Sequence, residues 1–261
     1  MNSVIHGQNI KVAVTNKVLL ENISFQVNEG DYLCIVGPNG AGKSSLIKAI
    51  MGILPLSHGQ LLINQHAITS YSQKQLAKQV SYVPQANGRT LPFTVKEFVA
   101  MARYPFHSAM SEWQPLDQQA VEQAFAITNT EQFADRQIST LSGGECQRVM
   151  IAAALCQQSP ILLLDEPTSF LDPHHQVEVH KLIRELNQQH QITIIEVSHD
   201  INHASQHSKQ ILALKEGQSL WQGPASEFLE KDRLHSLYEQ AFIFLNHPQT
   251  GAIIALPDEQ L

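Results

Sequence analysis

The chain has 261 residues, 43% hydrophobic and 16% charged, a globular composition with enough length to bury a substantial core unaided. A formal net charge of -7 without any basic run excludes a general nucleic-acid binder, which must neutralise phosphates. Cys34, Cys146 and Cys156 form no C-x-x-C pair and read as small buried apolar side chains in a reducing compartment.

The N-terminus has neither a basic leader nor a long apolar stretch, so no signal peptide is expected. No segment reaches the roughly 18–20 apolar residues that span a bilayer, which predicts a cytoplasmic protein whose membrane role comes through partners. Residues 19–27 alternate like a half-buried strand, and residues 28–31 close it with a turn. Leu33-Cys34-Ile35-Val36 is an apolar strand running into Gly37-Pro38-Asn39-Gly40-Ala41-Gly42-Lys43-Ser44-Ser45. That segment has the form G-x-x-x-x-G-K-S, a phosphate-binding loop. Its glycines let backbone N–H groups wrap an anion, and the helix expected over 46–50 adds its positive end. Lys43 would reach the β- and γ-phosphates, and Ser44 would offer its hydroxyl to Mg2+.

Val80-Ser81-Tyr82-Val83 runs into Pro84-Gln85. From about 86 to 140 the strand–helix alternation breaks, with helices expected over 94–102 and 116–126 around a Pro-bounded loop. Ser142-Gly143-Gly144-Glu145 fits the S-x-x-E capping box, so a helix starts there and stops before Pro160. Its two glycines expose N–H groups to an anion, the plain alternative being a well-capped helix. Together these helices form a subdomain over about 86–158, inserted in a single domain spanning 1–261.

Ile161-Leu162-Leu163-Leu164 runs into Asp165-Glu166-Pro167, and a strand over 192–197 runs into Ser198-His199. These apolar strands read as parallel and covered on both faces. Ligands of parallel sheets bind beyond the strands' carboxyl ends, so the four polar loops there imply one shared site. His199, His203 and His207 recur at i, i+4 and i+8, but no fourth zinc ligand is evident, and a solvated helix face is preferred. His174, His175 and His180 are read likewise. After a turn at Glu216-Gly217, short helices are expected around 225–231 and 233–242, then a hairpin around 246–251.

The order phosphate loop, Gln85, Leu141-Ser142-Gly143-Gly144-Glu145, Asp165-Glu166, Ser169-Phe170-Leu171-Asp172 and His199 resembles the ABC transporter ATPases over nearly the whole chain. The resemblance implies an α/β fold: a P-loop NTPase core with a mainly parallel sheet, an N-terminal antiparallel β part and a helical subdomain. It implies ATP hydrolysis with Mg2+ held by Ser44, Gln85 and Asp165. Glu166 would be the general base, with Gln85 and His199 also catalytic. Ser142, Gly143, Gly144 and Glu145 would contact ATP bound by a second copy, and Asp172 would lie in the loop crossing the dimer interface. The implied partners are a second ATPase subunit, two polytopic permease subunits and, indirectly, a periplasmic substrate-binding protein, with no nucleic acid. The implied location is the cytoplasmic face of the inner membrane.

Thr94-Val95-Lys96-Glu97-Phe98-Val99, Ala102-Arg103-Tyr104-Pro105 and Leu171-Asp172-Pro173-His174-His175-Gln176 narrow the resemblance to importers of iron-siderophores, haem or cobalamin. Ferric siderophore or haem is the first choice. A zinc or manganese importer is the nearest rival, a soluble ABC ATPase outside transport a further one. One departure stands out: the family stacks an aromatic on adenine from an early strand, and that position falls near Val14, with no Phe, Tyr or Trp before Ile23. Weaker or less base-selective nucleotide binding is the expected consequence.

Overall fold

The computed structural model describes residues 2–15, 17–85, 92–108 and 110–258. It divides into two compact units, Met1–Ser70 with Ile194–Leu261, and Tyr71–Thr193.

The first unit opens with β1 (Ser3–Val14) and β2 (Lys17–Asn28), an antiparallel pair. In β2, Leu20, Ile23, Phe25 and Val27 are buried. Strict alternation would not bury both Leu20 and Ile23. A register shift between the Ile10–Ile23 and Val12–Leu20 pairs, with Asn22 left-handed at φ 56°, inserts the extra residue that returns Leu20 to the core. Next come β3 (Tyr32–Val36), buried throughout, α1 (Lys43–Ile50), β4 (His58–Ile63) and the short β5 (His66–Ala67). One antiparallel sheet has the order β2-β1-β4-β5.

The second unit contains α2 (Gln73–Ala77), β6 (Val80–Val83), α3 (Val95–Met101), α4 (Pro115–Thr128), α5 (Gly143–Cys156), β7 (Ile161–Asp165) and α6 (Pro173–Gln188). β6 and β7 pair in parallel. Thr94 caps α3 through a reciprocal box with Glu97, which sets its start one residue after the cap. Val95, Val99, Val121, Phe125, Val149 and Ala152 form a buried core shared by α3, α4 and α5. Burying each of the larger ones contributes roughly 1.5–3 kcal/mol. Within this core the Arg103 guanidinium is buried and donates to Asp117, to the Cys156 carbonyl and to Gln158, tying the end of α3 to α4 and α5.

The chain returns to the first unit with β8 (Thr193–Val197), α7 (Ile201–His207), β9 (Gln210–Lys215), β10 (Gln218–Pro224), α8 (Lys231–Tyr238), β11 (Phe242–Asn246) and β12 (Ile253–Pro257). β8 and β9 flank β3 in parallel, and β10 lies antiparallel beside β9. The expected C-terminal hairpin forms from β11 and β12.

Two expectations change here. Residues 225–231 do not form an α-helix: Ala225–Glu227 is a single 3-10 turn. The Glu230 carboxylate accepts from the N–H groups of Asp232 and Arg233, so α8 begins at Lys231. It ends at Tyr238 because Glu239 turns left-handed at φ 56°, and Phe242 already belongs to β11. The histidine row also changes: His203 and His207 stay together in α7, their ring centroids 4.7 Å apart, but His199 lies outside it. His199 precedes α7, Asp200 caps it, and His203 is buried with a ring nitrogen within 4.8 Å of a Glu196 carboxylate oxygen, so this is not a solvated face. His180 is likewise buried. No helix among the described residues is long and apolar enough to cross a membrane.

Candidate functional site

The phosphate loop belongs to the first unit. It leaves the buried end of β3 at Gly37, whose φ is 147° and where a Cβ would lie 2.1 Å from the Leu214 carbonyl oxygen. Gly42 is left-handed at φ 101°, and a Cβ there would meet Leu20 Cδ2 at 2.7 Å. Only glycine satisfies both positions. Gly42 is also the N-cap of α1, which has no side-chain cap. Helix-start N–H groups without a side-chain cap are the donors an anion takes. Pro38 is half-buried, Asn39 and Gly40 are exposed, Ala41 is buried, and Ser44 and Ser45 are half-buried in the first turn. The Lys43 ammonium folds over the loop, donating to the carbonyls of Gly37 at 2.7 Å and Pro38 at 3.1 Å.

His199 lies exposed just beyond β8 in the same unit. Its neighbours are pinned: Ser198 Oγ accepts the Asp200 N–H at 3.1 Å, and Asp200 accepts the His203 N–H at 2.9 Å. Three residues earlier, Glu196 is fully buried in β8. The Tyr32 hydroxyl donates to its Oε2, while Oε1 has no hydrogen-bond partner among the described residues. Burial pushes the carboxyl up to about 7, against the Tyr32 bond and with help from Asp200. Sequence reading passed over Glu196. Its signal is a lone acid inside an otherwise apolar strand.

Gln85, Asp165, Glu166, the Ser142–Glu145 segment and Asp172 belong to the second unit. Asp165 ends β7 at 6% exposure, and the Tyr82 hydroxyl donates to it at 3.3 Å. Burial, then the Asp165 charge, push the Tyr82 phenol up to about 12, so it stays a donor. Glu166 follows in the left-handed region at φ 51°, a conformation that costs a β-carbon residue and concentrates at functional sites. Its Oε2 accepts from Gln85 Nε2 at 2.5 Å and from Ser169 Oγ at 2.9 Å. Ser169 is a third participant that sequence reading named only as part of a loop. A carboxylate and an amide carbonyl are hard oxygen donors, so Asp165 and Gln85 fit Mg2+ rather than a soft metal.

The Ser142 box forms as expected. Ser142 Oγ accepts the Glu145 N–H at 3.3 Å, and Glu145 Oε2 accepts the Ser142 N–H at 2.8 Å. That backbone bond holds the Glu145 carboxyl below its usual range, with Arg136 and Arg148 assisting. Gly143 is exposed and Gly144 buried at the start of α5. Cys146 is half-buried and burial raises its thiol, so it is not a reactive thiolate. Asp172 caps α6, accepting both the backbone N–H and ring Nδ1 of His175 at 3.0 and 2.7 Å. Val14, at the end of β1 opposite Lys17, is 44% exposed, and nearby Val18 is exposed as well.

Residues 20–169 match the family model described as ABC transporter. The ferric enterobactin transport ATP-binding protein of Escherichia coli K12 is 31% identical over 97% of this chain and 93% of its own length. The hemin import ATP-binding protein of Streptomyces coelicolor is 35% identical over 95% of this chain and 88% of its own. Among solved structures, a metal-chelate type ABC transporter in an inward-facing conformation is similar at TM-score 0.86 and 25% identity, covering 99% of this chain and 98% of that one.

Proposed function

The chain belongs to the ABC transporter family, and on that premise we propose that it is the ATP-hydrolysing subunit energising import of a metal chelate, a ferric siderophore or haem. The observation that carries the hydrolytic part is Glu166, left-handed beside buried Asp165 and held by Gln85 and Ser169. A carboxylate held by two side chains at a fixed point is what orienting an attacking water requires. The names of the two relatives and of the solved transporter support the metal-chelate cargo.

In this reading the loop from Gly37 to Ser45 and the first turn of α1 bind the phosphates. Lys43 moves from its own loop's carbonyls to the β- and γ-phosphates. Ser44 of the first unit and Gln85 and Asp165 of the second are the oxygen donors that would hold Mg2+, which would supply charge neutralisation to the phosphates. Glu166 takes the proton of the attacking water, and His199 donates to the γ-phosphate. Two copies pair with two-fold symmetry, the start of α5 in one contacting ATP on the other. The closure this drives is passed to two membrane subunits through the insert over about 86–158, whose Met101, Tyr104, Trp113 and Leu116 are exposed apolar side chains. The protein then sits at the cytoplasmic face of the inner membrane.

The test is a tagged pull-down from native membranes in mild detergent, with partners identified by mass. Recovery of a polytopic membrane protein at one-to-one stoichiometry is expected. Reconstituted with it, ATP hydrolysis should rise with a binding protein loaded with ferric siderophore or haem. Recovery of soluble or nucleic-acid partners alone sinks the importer reading.

A further inference from the structure

The histidine beside Asp172 has a second neighbour. A Cβ placed on Gly144 would lie 2.0 Å from His175 Cδ2 and 2.4 Å from its Cγ, so the imidazole lies flush on the first turn of α5. Gly143 differs: a Cβ there would meet Leu171 Cδ2 at 3.4 Å, an ordinary contact, so the close approach is particular to Gly144. The other edge of the ring is gripped: Asp172 accepts from Nδ1 with one carboxylate oxygen and from the His175 backbone N–H with the other. Backbone bond and ring bond together fix the ring's orientation. The side chain is only partly exposed, unlike that of its neighbour His174. Residues 144 and 175 are far apart in sequence, and this contact joins the start of α5 to the cap of α6.

We infer that His175 is a positioning residue that ties the Asp172 carboxylate to Gly144, so that the interface loop and the first turn of α5 keep one fixed relation. This rests on the ATPase reading above, in which both segments meet the second copy. The ring touches neither nucleotide nor water in this role. It sets where the N–H groups of the α5 start sit relative to Asp172, and it makes glycine obligatory at 144 for a reason separate from phosphate approach.

The experiment uses the full-length chain carrying Glu166→Gln, in which ATP-driven association is read by light scattering and single-chain nucleotide affinity by a fluorescent ATP analogue. His175→Ala is expected to weaken ATP-driven association by about tenfold or more, with single-chain nucleotide affinity unchanged within about twofold. His175→Asn, which keeps an N–H donor toward Asp172, should restore association. His175→Leu, which keeps volume without the donor, should not. A merely structural role would move all three through thermal stability, which is measured alongside. Undiminished association of the Ala and Leu variants, or rescue by Leu equal to that by Asn, overturns the inference alone. If the Glu166→Gln parent forms no ATP-driven dimer, the ATPase reading falls and the inference with it.

Discussion

Gln85 donates its amide N–H to Glu166 at 2.5 Å, linking the loop after β6 to the carboxylate after β7. Ser169 reaches the same oxygen from three residues on, so the carboxylate is oriented from two directions. Glu166→Gln is expected to lower kcat by about 10²–10⁴-fold while nucleotide binding persists, the pattern of a lost general base. Gln85→Ala leaves the carboxylate held by Ser169 alone, and its effect should be smaller, about tenfold, and again on kcat rather than KM. Steady-state hydrolysis together with equilibrium nucleotide binding checks both. Rapid turnover by Glu166→Gln would refute the base assignment.

The Arg103–Asp117 pair, 2.9 Å apart, is buried beside α4 and α5, and His107 joins Asp117 as a third group at 3.0 Å. Removing one partner leaves an uncompensated buried charge, so Asp117→Ala should destabilise by about 3–5 kcal/mol. The double change Arg103→Met with Asp117→Leu should cost much less, since it removes both charges. Burial alone would raise the Asp117 carboxyl, but the Arg103 bond, the Gln114 N–H and His107 hold it below its usual range. The native state therefore binds fewer protons than the unfolded chain near that range. This contribution is present above about pH 4 and is lost as pH falls further. Urea unfolding of parent and variants at pH 7 and below pH 4 measures it. Equal costs for the single and double changes would count against the pair.

Glu196 has the opposite sign. Its folded-state value of about 7 lies above the ordinary 4.5, so the native state holds a proton that the unfolded chain has released. Stability from this group falls as pH rises from about 4.5 to about 7 and is constant beyond. Glu196→Gln keeps an acceptor for Tyr32 and cannot ionise. It should match the parent near pH 4.5 and exceed it at pH 8 by up to about 3 kcal/mol. Denaturant midpoints at the two pH values decide the matter, and an unchanged difference between them refutes the assignment.

What the sequence made legible is what is local. The strand, glycine loop and helix around Lys43 lie within one short stretch. The Ser142–Glu145 box needs only four residues, and its hydrogen bonds form as the spacing requires. The Glu230 cap is equally local but carries no pattern signal, because a glutamate at an N-cap is less usual than Ser, Thr, Asp or Asn. Other features depend on pairings that no window contains. Tyr32 meets Glu196 across 164 positions, and Arg103 reaches Gln158 across 55. His175 sits on Gly144 only because the α5 and α6 starts converge. The bulge at Asn22 is set by the register of β1 against β2, which periodicity alone does not encode.

Val14 ends β1 with an aliphatic side chain 44% exposed, near the position at which the resemblance to ABC transporter ATPases implies an aromatic against adenine, and the exposed Val18 beside it is aliphatic too. Stacking of a base on an aromatic ring is worth about 1–3 kcal/mol, whereas a valine offers only dispersion over a smaller area. Neither side chain presents a donor or acceptor to read the purine edge. ATP and GTP should therefore be hydrolysed with kcat/KM values within about fivefold of each other, since differences in base contact below about 1 kcal/mol give no more. Val14→Tyr should tighten ATP binding by about 1 kcal/mol, roughly fivefold, through KM with kcat nearly unchanged, because the base lies remote from the reacting phosphate. Steady-state hydrolysis of ATP and GTP by parent and variant, with competition binding beside it, is the measurement. Strong discrimination by the parent would mean that another group holds the base, and an unmoved KM in Val14→Tyr would mean that adenine does not lie against β1.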